Sequence, residues 1–529
     1  MWKSSGWKTL SGGGAMAEKR QSPKSAFANT GFRRSIEGLL AEVAELYASD
    51  NIPWVVGYSG GKDSTAVLQL VWIVLQRLSR DELKKPVYVI STDTLVENPI
   101  VSLWLSKSLD MMEEAAVHHG MPLTAHKLTP ATENTFWVNL IGRGYPAPRP
   151  KFRWCTERLK INPSTRFISS VVQEHGEAIL ILGTRKAESA ARARVMERFE
   201  KGRVRDRLSP NGSLPNSFVY SPIEDWTNDD VWMFLMQVAN PWGYNNKDLL
   251  TMYQGATAGG ECPLVVDTST PSCGDSRFGC WVCTLVEKDK SMQAMIQNDD
   301  EKEWMLPLLE LRNMLDPPRT PEADRPLRDF RRMSGAVQLF HDRPIPGPYK
   351  QGVREDWLRR VLAAQQHIRK HGPEQVRDLQ LITLEELEEI RRIWVVEKHE
   401  IEDSLPGVYE SVIGMPYPKG RLDDNLVMGA AEMGLLRELC GEDELHFQLT
   451  RELLSIENQH KSMLRRAGLF SAIEQAFHRG FYEGEEDAVT RARQRRDALN
   501  TARERVMGDR SWNVQEEPQD LFALDETKR

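Results

Sequence analysis

The stretch Val55-Val56-Gly57-Tyr58-Ser59-Gly60-Gly61-Lys62-Asp63-Ser64 decides the fold of this chain. It starts with β-branched residues typical of a buried strand, passes through two adjacent glycines and continues into an apolar, helix-forming sequence. Glycine lets a backbone turn tightly and pass close to a ligand. A helix that begins near Asp63 or Ser64 would direct its free N–H groups and the positive end of its dipole into the same space. The stretch therefore predicts a strand, an anion-binding turn and a helix.

The polar groups of this turn indicate that the anion is pyrophosphate. Lys62 supplies a positive charge, and the other groups that would hold a nucleotide here are Ser59, Gly60, Gly61, Asp63 and Ser64. The spacing differs from that of the common phosphate-binding loop, which has four residues between its first glycine and its Gly-Lys pair. The run Ser-Gly-Gly-Lys-Asp-Ser instead resembles the loop of the ATP pyrophosphatases. That resemblance implies bound ATP, cleaved between its α and β phosphates, and an adenylylated intermediate.

Buried strands alternate with helices on both sides of this turn. Strands are predicted at 54–58, 87–90, 123–128 and 178–182, and helices at 32–49, from the turn to residue 78, at 99–119 and at 226–237. The alternation predicts an α/β fold with a doubly wound parallel sheet. Ligands bind such sheets at the carboxyl ends of the strands. Ser59, Asp93 and Gly183 each follow one of these strands, so we expect them at the ligand-binding edge.

Composition changes along the chain and predicts four segments. Residues 1–28 are rich in Gly, Ser and Lys and are interpreted as a disordered leader, with Met16 as an alternative start. An α/β domain is predicted at 29–250, a cysteine-rich iron–sulfur segment at 251–290 and a mainly helical region at 291–529. In the helical region, Thr383 and Glu386 have the spacing of a capping box and predict the start of a helix. No apolar run is long enough to span a bilayer and no secretion signal is evident, which predicts a cytoplasmic protein.

The net charge of −7 argues against a freestanding DNA-binding protein of high affinity, because such proteins are usually basic. It leaves room for local basic patches, or for a partner that contributes the basic surface. The arginine-rich stretch 491–505 is interpreted as a solvated helix face.

Two segments outside the glycine turn carry groups suited to phosphate chemistry. Asp93 ends a predicted strand, and its carboxylate has three open interpretations: a Mg²⁺ ligand that bridges ATP phosphates, a ribose ligand, or the cap of the next helix. Gly183-Thr184-Arg185-Lys186-Ala187-Glu188-Ser189 follows another strand and presents cations at the same edge.

The six cysteines are not expected to form disulfides in a cytoplasmic protein, and four of them are clustered in one short stretch. Cys262, Cys273, Cys280 and Cys283 lie within 22 residues. Four thiolates suit either tetrahedral Zn²⁺ or a [4Fe–4S] cluster. Zinc ribbons usually have two close Cys-x-x-Cys pairs, and here only the second pair is close, which favours iron–sulfur. Four unliganded thiols in a glycine-rich loop are the remaining alternative.

Cys155 is the fifth cysteine of interest. Arg153, Arg158 and Lys160 surround it in sequence and predict a lowered thiol pKa, and they would also attract phosphate or sulfate. The thiol is interpreted as a persulfide carrier, as a cluster ligand in place of one of the four other cysteines, or as a small buried residue. Three cysteine ligands would leave one iron open to bind sulfide or substrate.

Several separated motifs resemble the phosphoadenylylsulfate reductase family over about residues 32–238. They are the glycine turn, Asp93-Thr94, Arg-Trp-Cys-Thr-x-x-Leu-Lys at 153–160, Gly-Thr-Arg-x-x-Glu-Ser at 183–189, and Ser-Pro-Ile-Glu-Asp-Trp at 221–226. The cysteines and the long helical C-terminal region together resemble the branch of this family that acts in bacterial DNA phosphorothioation.

This resemblance implies a function, and composition does not show it. A DNA phosphate would be adenylylated, with pyrophosphate released, and sulfur carried on a cysteine or a cluster would then displace AMP. The implied catalytic residues are Lys62, Asp63, Cys155 and Arg185, and Arg158 would also contact the nucleotide. The implied partners are DNA, DndD- and DndE-like proteins, and a DndA- or IscS-like cysteine desulfurase that supplies sulfur.

Three alternatives remain. The first is a sulfonucleotide reductase, which is usually shorter than this chain. One kind of reductase carries a Glu-Cys-Gly-Leu-His tail, and this chain has no cysteine after Cys440. The other kind has a Cys-Cys pair where this chain has Trp154-Cys155. A tRNA thiolase shares the glycine turn, but the net negative charge disfavours it. A non-catalytic ATP-binding scaffold would not need an intact turn and an intact set of cysteines.

Overall fold

The computed structural model describes residues 24–150, 152–205, 207–256, 278–318, 320–340, 342–420, 428–461, 463 and 465–506. The chain divides into two compact units. The first comprises 1–136, 148–315 and 364–381, and the second comprises 137–147, 316–363 and 382–529. Within the described ranges, no helix is long and apolar enough to cross a membrane.

The first unit is built on a six-stranded, mostly parallel sheet, which confirms the predicted α/β class. Its strands are β1 (Trp54–Gly57), β2 (Val87–Thr92), β3 (Leu123–Leu128), β4 (Ala178–Ile181), β5 (Ser209–Pro210) and β6 (Ser217–Tyr220). Their order is β3-β2-β1-β4-β6-β5, and only β5 is antiparallel to its neighbour. The sequence predicted the four strands β1 to β4 and missed β5 and β6.

Helices cover both faces of this sheet, as a doubly wound fold requires. Those of the α/β part are α1 (Phe32–Ala48), α2 (Lys62–Arg77), α3 (Pro99–His119), α4 (Asn162–His175), α5 (Ala190–Glu200), α6 (Asn228–Gln237) and α7 (Asn246–Gly255). One core joins Trp54 and Val56 of β1 to α1, α2, α3 and α6. A smaller core on the other face joins Val55 to Ile168 of α4.

The C-terminal region is helical, as predicted. Its helices are α8 (Lys290–Asn298), α9 (Leu306–Leu315), α10 (Pro321–Asp324), α11 (Gln351–His371), α12 (Leu384–Arg392), α13 (Ser404–Ile413), α14 (Ala430–Cys440), α15 (Glu444–Lys461), α16 (Leu469–Gly480) and α17 (Glu485–Val506), with a hairpin of β7 (Leu339–Phe340) and β8 (Arg343–Pro344). The Thr383–Glu386 capping box is confirmed. In α17, Arg491, Arg493 and Arg495 are exposed, which agrees with a solvated face.

The start of α6 ties the N-terminal part of the described chain to the α/β fold. Thr227 caps the helix and forms a capping box with Asp230. The Asp230 carboxylate also accepts hydrogen bonds from the Ser25 hydroxyl and the Ala26 N–H, and Phe27 is buried against Trp226. Residues 25–27 of the segment predicted as a leader are therefore held against the start of α6 by hydrogen bonds and by the buried Phe27, while residues 1–23 lie outside the described ranges.

We expect Asp230 to make the stability of this unit depend on pH. Burial favours the neutral acid, but hydrogen bonds from Ser25, Ala26 and Thr227 outweigh it and lower the pKa of Asp230 below its ordinary value of 3.8. A carboxyl whose pKa is lower in the folded state stabilises the fold above the unfolded-state pKa, and this contribution is lost as the pH falls through the folded-state pKa.

The measurement is the free energy of unfolding between about pH 7 and pH 3. Asp230→Asn should lower it by about 1–3 kcal/mol at pH 7 and should flatten its decline below about pH 4. Asp229→Asn, an exposed neighbour in the same helical turn, is the matched control and should change little. Equal acid sensitivity in the wild type and Asp230→Asn would contradict the assignment.

Candidate nucleotide and sulfur site

The glycine turn forms the predicted link between β1 and α2. Gly60 has a φ of +72°, a conformation that favours glycine, and α2 begins at Lys62, slightly earlier than expected. The Ser64 hydroxyl closes the turn, because it accepts a hydrogen bond from the Ser59 N–H at 3.1 Å and donates one to the Gly61 carbonyl at 3.0 Å. The Ser59 hydroxyl lies 3.1 Å from that of Ser64. The turn is therefore held in place by its own hydroxyls.

Gly183 brings the loop after β4 against this turn. A Cβ on Gly183 would lie 2.8 Å from the carbonyl carbon of Asp63, 2.9 Å from the Asp63 oxygen and 3.0 Å from the Ser64 nitrogen. Only a residue without a side chain permits this approach. Strands β1 and β4 are neighbours, but the chain after β1 leads to β2 on one side and the chain after β4 leads to β6 on the other. Ligands of such sheets bind in the crevice that forms where the strand order reverses in this way.

Asp63 lies between two cations at this crevice. Its carboxylate accepts a hydrogen bond from Arg185 Nε at 2.7 Å and lies 3.1 Å from Lys62 Nζ. Arg185 is only 4% exposed, and its Nη1 also donates to the Trp226 carbonyl at 3.2 Å. Two cations that share one carboxylate leave an excess of positive charge, which suits an oxyanion. The structure thus brings together three of the four residues predicted to be catalytic.

Asp93 lies at the end of β2 with both carboxylate oxygens engaged. One accepts the Leu95 N–H at 2.8 Å, and the other lies 2.8 Å from Lys127 Nζ of β3. Asp93 does not cap the next helix, because Asn98 caps α3 by accepting the Ile100 N–H. Leu95 has a left-handed φ of +62°, which is uncommon outside glycine. The Mg²⁺ and ribose interpretations of Asp93 remain predictions.

Cys280 is held beside the same end of β2. The chain at 279–281 pairs with the residues that follow Asp93: the Asn98 N–H donates to the Gly279 carbonyl at 3.3 Å, and the Trp281 N–H donates to the Val96 carbonyl at 2.9 Å. The Cys280 sulfur lies 3.3 Å from the Thr94 hydroxyl. A cysteine of the predicted metal segment therefore lies at the same edge of the sheet as the glycine turn.

The prediction of a lowered pKa for Cys155 is wrong. Burial is the largest influence and raises the pKa of this thiol, and Cys283 adds to the effect. The arginines that flank it in sequence are engaged elsewhere, since Arg153 Nε donates to the Pro150 carbonyl at 3.2 Å and Arg158 Nη1 donates to the Asn134 side chain at 2.9 Å. Burial, followed by the charge of Glu97, also raises the pKa of Cys280.

Cys283 contributes to the raised pKa of Cys155, and Cys155 contributes to the raised pKa of Cys280, so Cys155 lies near the Cys-x-x-Cys pair although it is distant in sequence. Cys262 and Cys273 lie outside the described residues. Across the part of the chain that the structure describes, no group of three or more His, Cys, Asp or Glu side chains is placed to hold a metal ion. Thiols as a class suit iron–sulfur ligation.

Sequence reasoning missed three residues of this site. Lys127 pairs with Asp93, Glu97 lies 3.4 Å from Lys160 and 3.7 Å from the Cys280 sulfur, and Tyr253 contacts the nucleotide turn. Lys127 had a usable signal, because it stands near the end of a predicted strand that neighbours β2. Tyr253 had none, since its sequence position is remote from the turn.

These features define an α/β domain with a glycine turn, a group of charged side chains and a cysteine at the carboxyl edge of its sheet. Residues 53–242 match the phosphoadenosine phosphosulfate reductase domain family. The chain therefore contains a domain like those of phosphoadenosine phosphosulfate reductases.

Individual proteins that match this chain have low sequence identity to it. An uncharacterised protein of Methanocaldococcus jannaschii is 26% identical over 245 residues, which is 46% of this chain. The match spans 39% of that relative's length. Among solved structures, the chain matches the phosphoadenylylsulfate reductase of Candida auris in complex with phosphate. The identity is 16% and the TM-score is 0.25, and the match covers 41% of this chain and 91% of that one. The chain also matches the U34-tRNA thiolase of Methanococcus maripaludis with its [4Fe–4S] cluster. The identity is 15% and the TM-score is 0.27, and the match covers 54% of this chain and 79% of that one.

Proposed function

We propose that this chain is a DNA-modifying sulfurtransferase that resembles DndC of the bacterial phosphorothioation systems. One observation carries the proposal: the Lys62–Asp63–Arg185 group and Cys280 lie at the same edge of one sheet, in a domain like those of phosphoadenosine phosphosulfate reductases. An anion site beside a thiol suits a reaction that activates a phosphate with ATP and then replaces oxygen by sulfur.

The chemistry proceeds in two displacements. A non-bridging oxygen of a DNA phosphate attacks the α-phosphorus of ATP, and pyrophosphate leaves. Lys62 and Arg185 stabilise the charge that develops on the phosphates, and a Mg²⁺ ion, for which Asp93 is the predicted ligand, would supply further positive charge there. A sulfur nucleophile then attacks the DNA phosphorus, and AMP leaves with the original oxygen. When the sulfur arrives as a persulfide, a second thiol releases the carrier sulfur as a disulfide.

We propose that Cys280 and Cys283 hold an iron–sulfur cluster with further thiolates from Cys262, Cys273 or Cys155. Such a cluster supplies a soft metal centre for binding sulfur. Under the proposal, DNA is handled with DndD- and DndE-like proteins, because the net charge of −7 does not suit a freestanding DNA-binding protein. A DndA- or IscS-like cysteine desulfurase supplies the sulfur.

Replacing cluster cysteines should remove iron. Protein purified without oxygen should contain iron and acid-labile sulfide, and Cys280→Ser should lose most of both, because a thiolate is a far better ligand for iron than a hydroxyl. Cys440→Ser is the control: Cys440 lies in α14 of the second unit, and its replacement should leave the iron content unchanged. Equal iron in wild type and Cys280→Ser would contradict the assignment of Cys280.

The function is tested in the host. The gene is deleted, genomic DNA is digested with nuclease, and sulfur-containing dinucleotides are sought by mass spectrometry. The deletion is then complemented with the wild type, Lys62→Ala, Cys280→Ser and Cys440→Ser. The proposal requires that the sulfur-containing dinucleotides disappear and return with the wild type and Cys440→Ser only.

Reduction of an activated sulfate is the second candidate, and the family match at 53–242 favours it. The same deletion strain separates the two candidates. A strain that needs cysteine or sulfide for growth, and whose parent never contained sulfur in its DNA, would overturn the phosphorothioation proposal and support the reductase.

A further inference from the structure

Tyr253 of α7 contacts both the backbone and the charge of the nucleotide turn. Its hydroxyl accepts a hydrogen bond from the Lys62 N–H at 3.4 Å, and Lys62 Nζ lies 5.6 Å from the centre of its ring. A Cβ on Gly61 would lie 3.2 Å from this hydroxyl. Tyr253 therefore touches the first turn of α2, where the helix presents N–H groups to an anion.

The ring of Tyr253 also packs against the chain that carries Cys280. Phe278 meets it edge to face, with ring centres 4.6 Å apart and an interplanar angle of 82°. Phe278 immediately precedes the residues 279–281 that pair with the end of β2. One buried side chain thus links the nucleotide turn to the Cys280 segment.

We propose that Tyr253 is a positioning residue that holds the Lys62 amide and ammonium in place for the phosphates of ATP, and that transmits nucleotide binding to the Cys280 segment through Phe278. This inference rests on the proposed function, because it assumes that the turn binds ATP. Burial raises the pKa of Tyr253, so the hydroxyl stays neutral and accepts the amide N–H without repelling the phosphates.

The physical link is competition for Lys62. An incoming phosphate oxygen accepts hydrogen bonds from the same N–H groups and attracts the ammonium of Lys62, which lies above the aromatic ring of Tyr253. Nucleotide binding therefore changes the interactions of the ring with Lys62, and the ring is packed against Phe278. Coupling between the turn and the Cys280 segment requires that the contacts among Lys62, Tyr253 and Phe278 have two arrangements and that ATP binding favours one of them.

The first test separates the hydroxyl from the ring. Tyr253→Phe should raise the Kd for α,β-methylene-ATP by about 5–10-fold, because one hydrogen bond that positions the turn is lost. The KM for ATP in ATP–pyrophosphate exchange, measured with DNA present as the acceptor of AMP, should rise equally, while kcat changes less than about twofold. Tyr47→Phe is the matched control, since it removes a buried tyrosine hydrogen bond, to the Lys85 carbonyl at 3.1 Å, from the other end of the sheet.

The second test reads the coupling directly by amide hydrogen exchange of the full chain. In the wild type, α,β-methylene-ATP should slow exchange at 62–66 and at 279–283. In Tyr253→Leu the nucleotide, added at saturating concentration, should still slow exchange at 62–66 but no longer at 279–283. Tyr253→Phe, which keeps the ring, should behave as the wild type.

The outcomes separate this inference from the proposed function. If the wild type does not bind the nucleotide, the ATP chemistry of the turn and the role of Tyr253 both fail. If the wild type binds it and Tyr253→Phe binds equally well, the positioning role is overturned. If Tyr253→Leu still transmits protection to 279–283, the coupling role is overturned while the proposed function stands.

Discussion

Replacing Gly183 with alanine should disable the nucleotide site and destabilise the first unit. The new Cβ would be placed 2.8 Å from the carbonyl carbon of Asp63, a distance that real Cβ atoms do not show, and the obstructing atoms are backbone atoms of the first turn of α2. We expect the free energy of unfolding to fall by about 1–3 kcal/mol, as for overpacked interiors. A displacement of this turn by a fraction of an ångström would move Lys62 and Asp63 together, and we expect ATP–pyrophosphate exchange to fall by about 10²-fold.

The matched control for Gly183→Ala is a second glycine-to-alanine substitution at a position where the added methyl group meets no other atom. Gly38 lies inside α1, and a Cβ there meets no heavy atom within 4 Å. Gly38→Ala should leave exchange unchanged and should stabilise the helix by up to about 1 kcal/mol, because alanine is the better helix former. Thermal unfolding and the exchange assay on both variants decide the matter. Wild-type exchange in Gly183→Ala would show that the loop after β4 does not set the position of the turn.

Replacing Arg185 with leucine should have the second large effect. Its guanidinium is almost fully buried, is bonded to Asp63 and Trp226, and faces the crevice of the sheet. Loss of one preorganised cation that stabilises developing charge usually reduces a rate by about 10²–10³-fold. We expect that loss in kcat for ATP–pyrophosphate exchange. Arg185→Lys should restore only part of it, because an ammonium lacks the planar arrangement of donors that joins Asp63 to the Trp226 carbonyl.

Stability must be measured alongside, since breaking a buried ion pair is itself destabilising. Arg77→Gln is the matched control: Arg77 lies in α2 and pairs with Glu37, but both side chains are more than half exposed. It should cost less than about 1 kcal/mol and leave exchange unchanged. Arg185→Leu protein that is folded at the assay temperature and exchanges at the wild-type rate would exclude a role for Arg185 in the reaction.

The local elements of this protein were predictable because their causes lie within a few residues. Strand β1, its glycine turn and α2 follow from a β-branched run, two glycines and an apolar helical sequence. The capping box at Thr383 follows from a threonine side chain that meets an N–H three residues later. Strands β5 and β6 escaped prediction: β5 has only two residues, too few to show a periodicity, and the four residues of β6 were not recognised in the sequence.

The chemistry of Cys155 shows where sequence proximity misleads. Arginine and lysine residues close to it in the chain suggested a stabilised thiolate. In the fold, Arg158 bonds to Asn134 and Arg153 bonds to a backbone carbonyl, while burial raises the pKa of the thiol. Side-chain direction and desolvation set a pKa, and neither can be read from spacing alone.

The sequence by itself determined the α/β class, the positions of the first four strands and the glycine turn between the first strand and α2, because backbone preferences and hydrophobic periodicity act over short distances. Tertiary structure alone decided that Arg185 meets Asp63 across 122 positions of sequence, that Gly183 touches the first turn of α2, and that Tyr253 joins that turn to the Cys280 segment. These contacts depend on strand order and on how helices pack against the sheet. Both result from the burial of apolar surface across the whole domain.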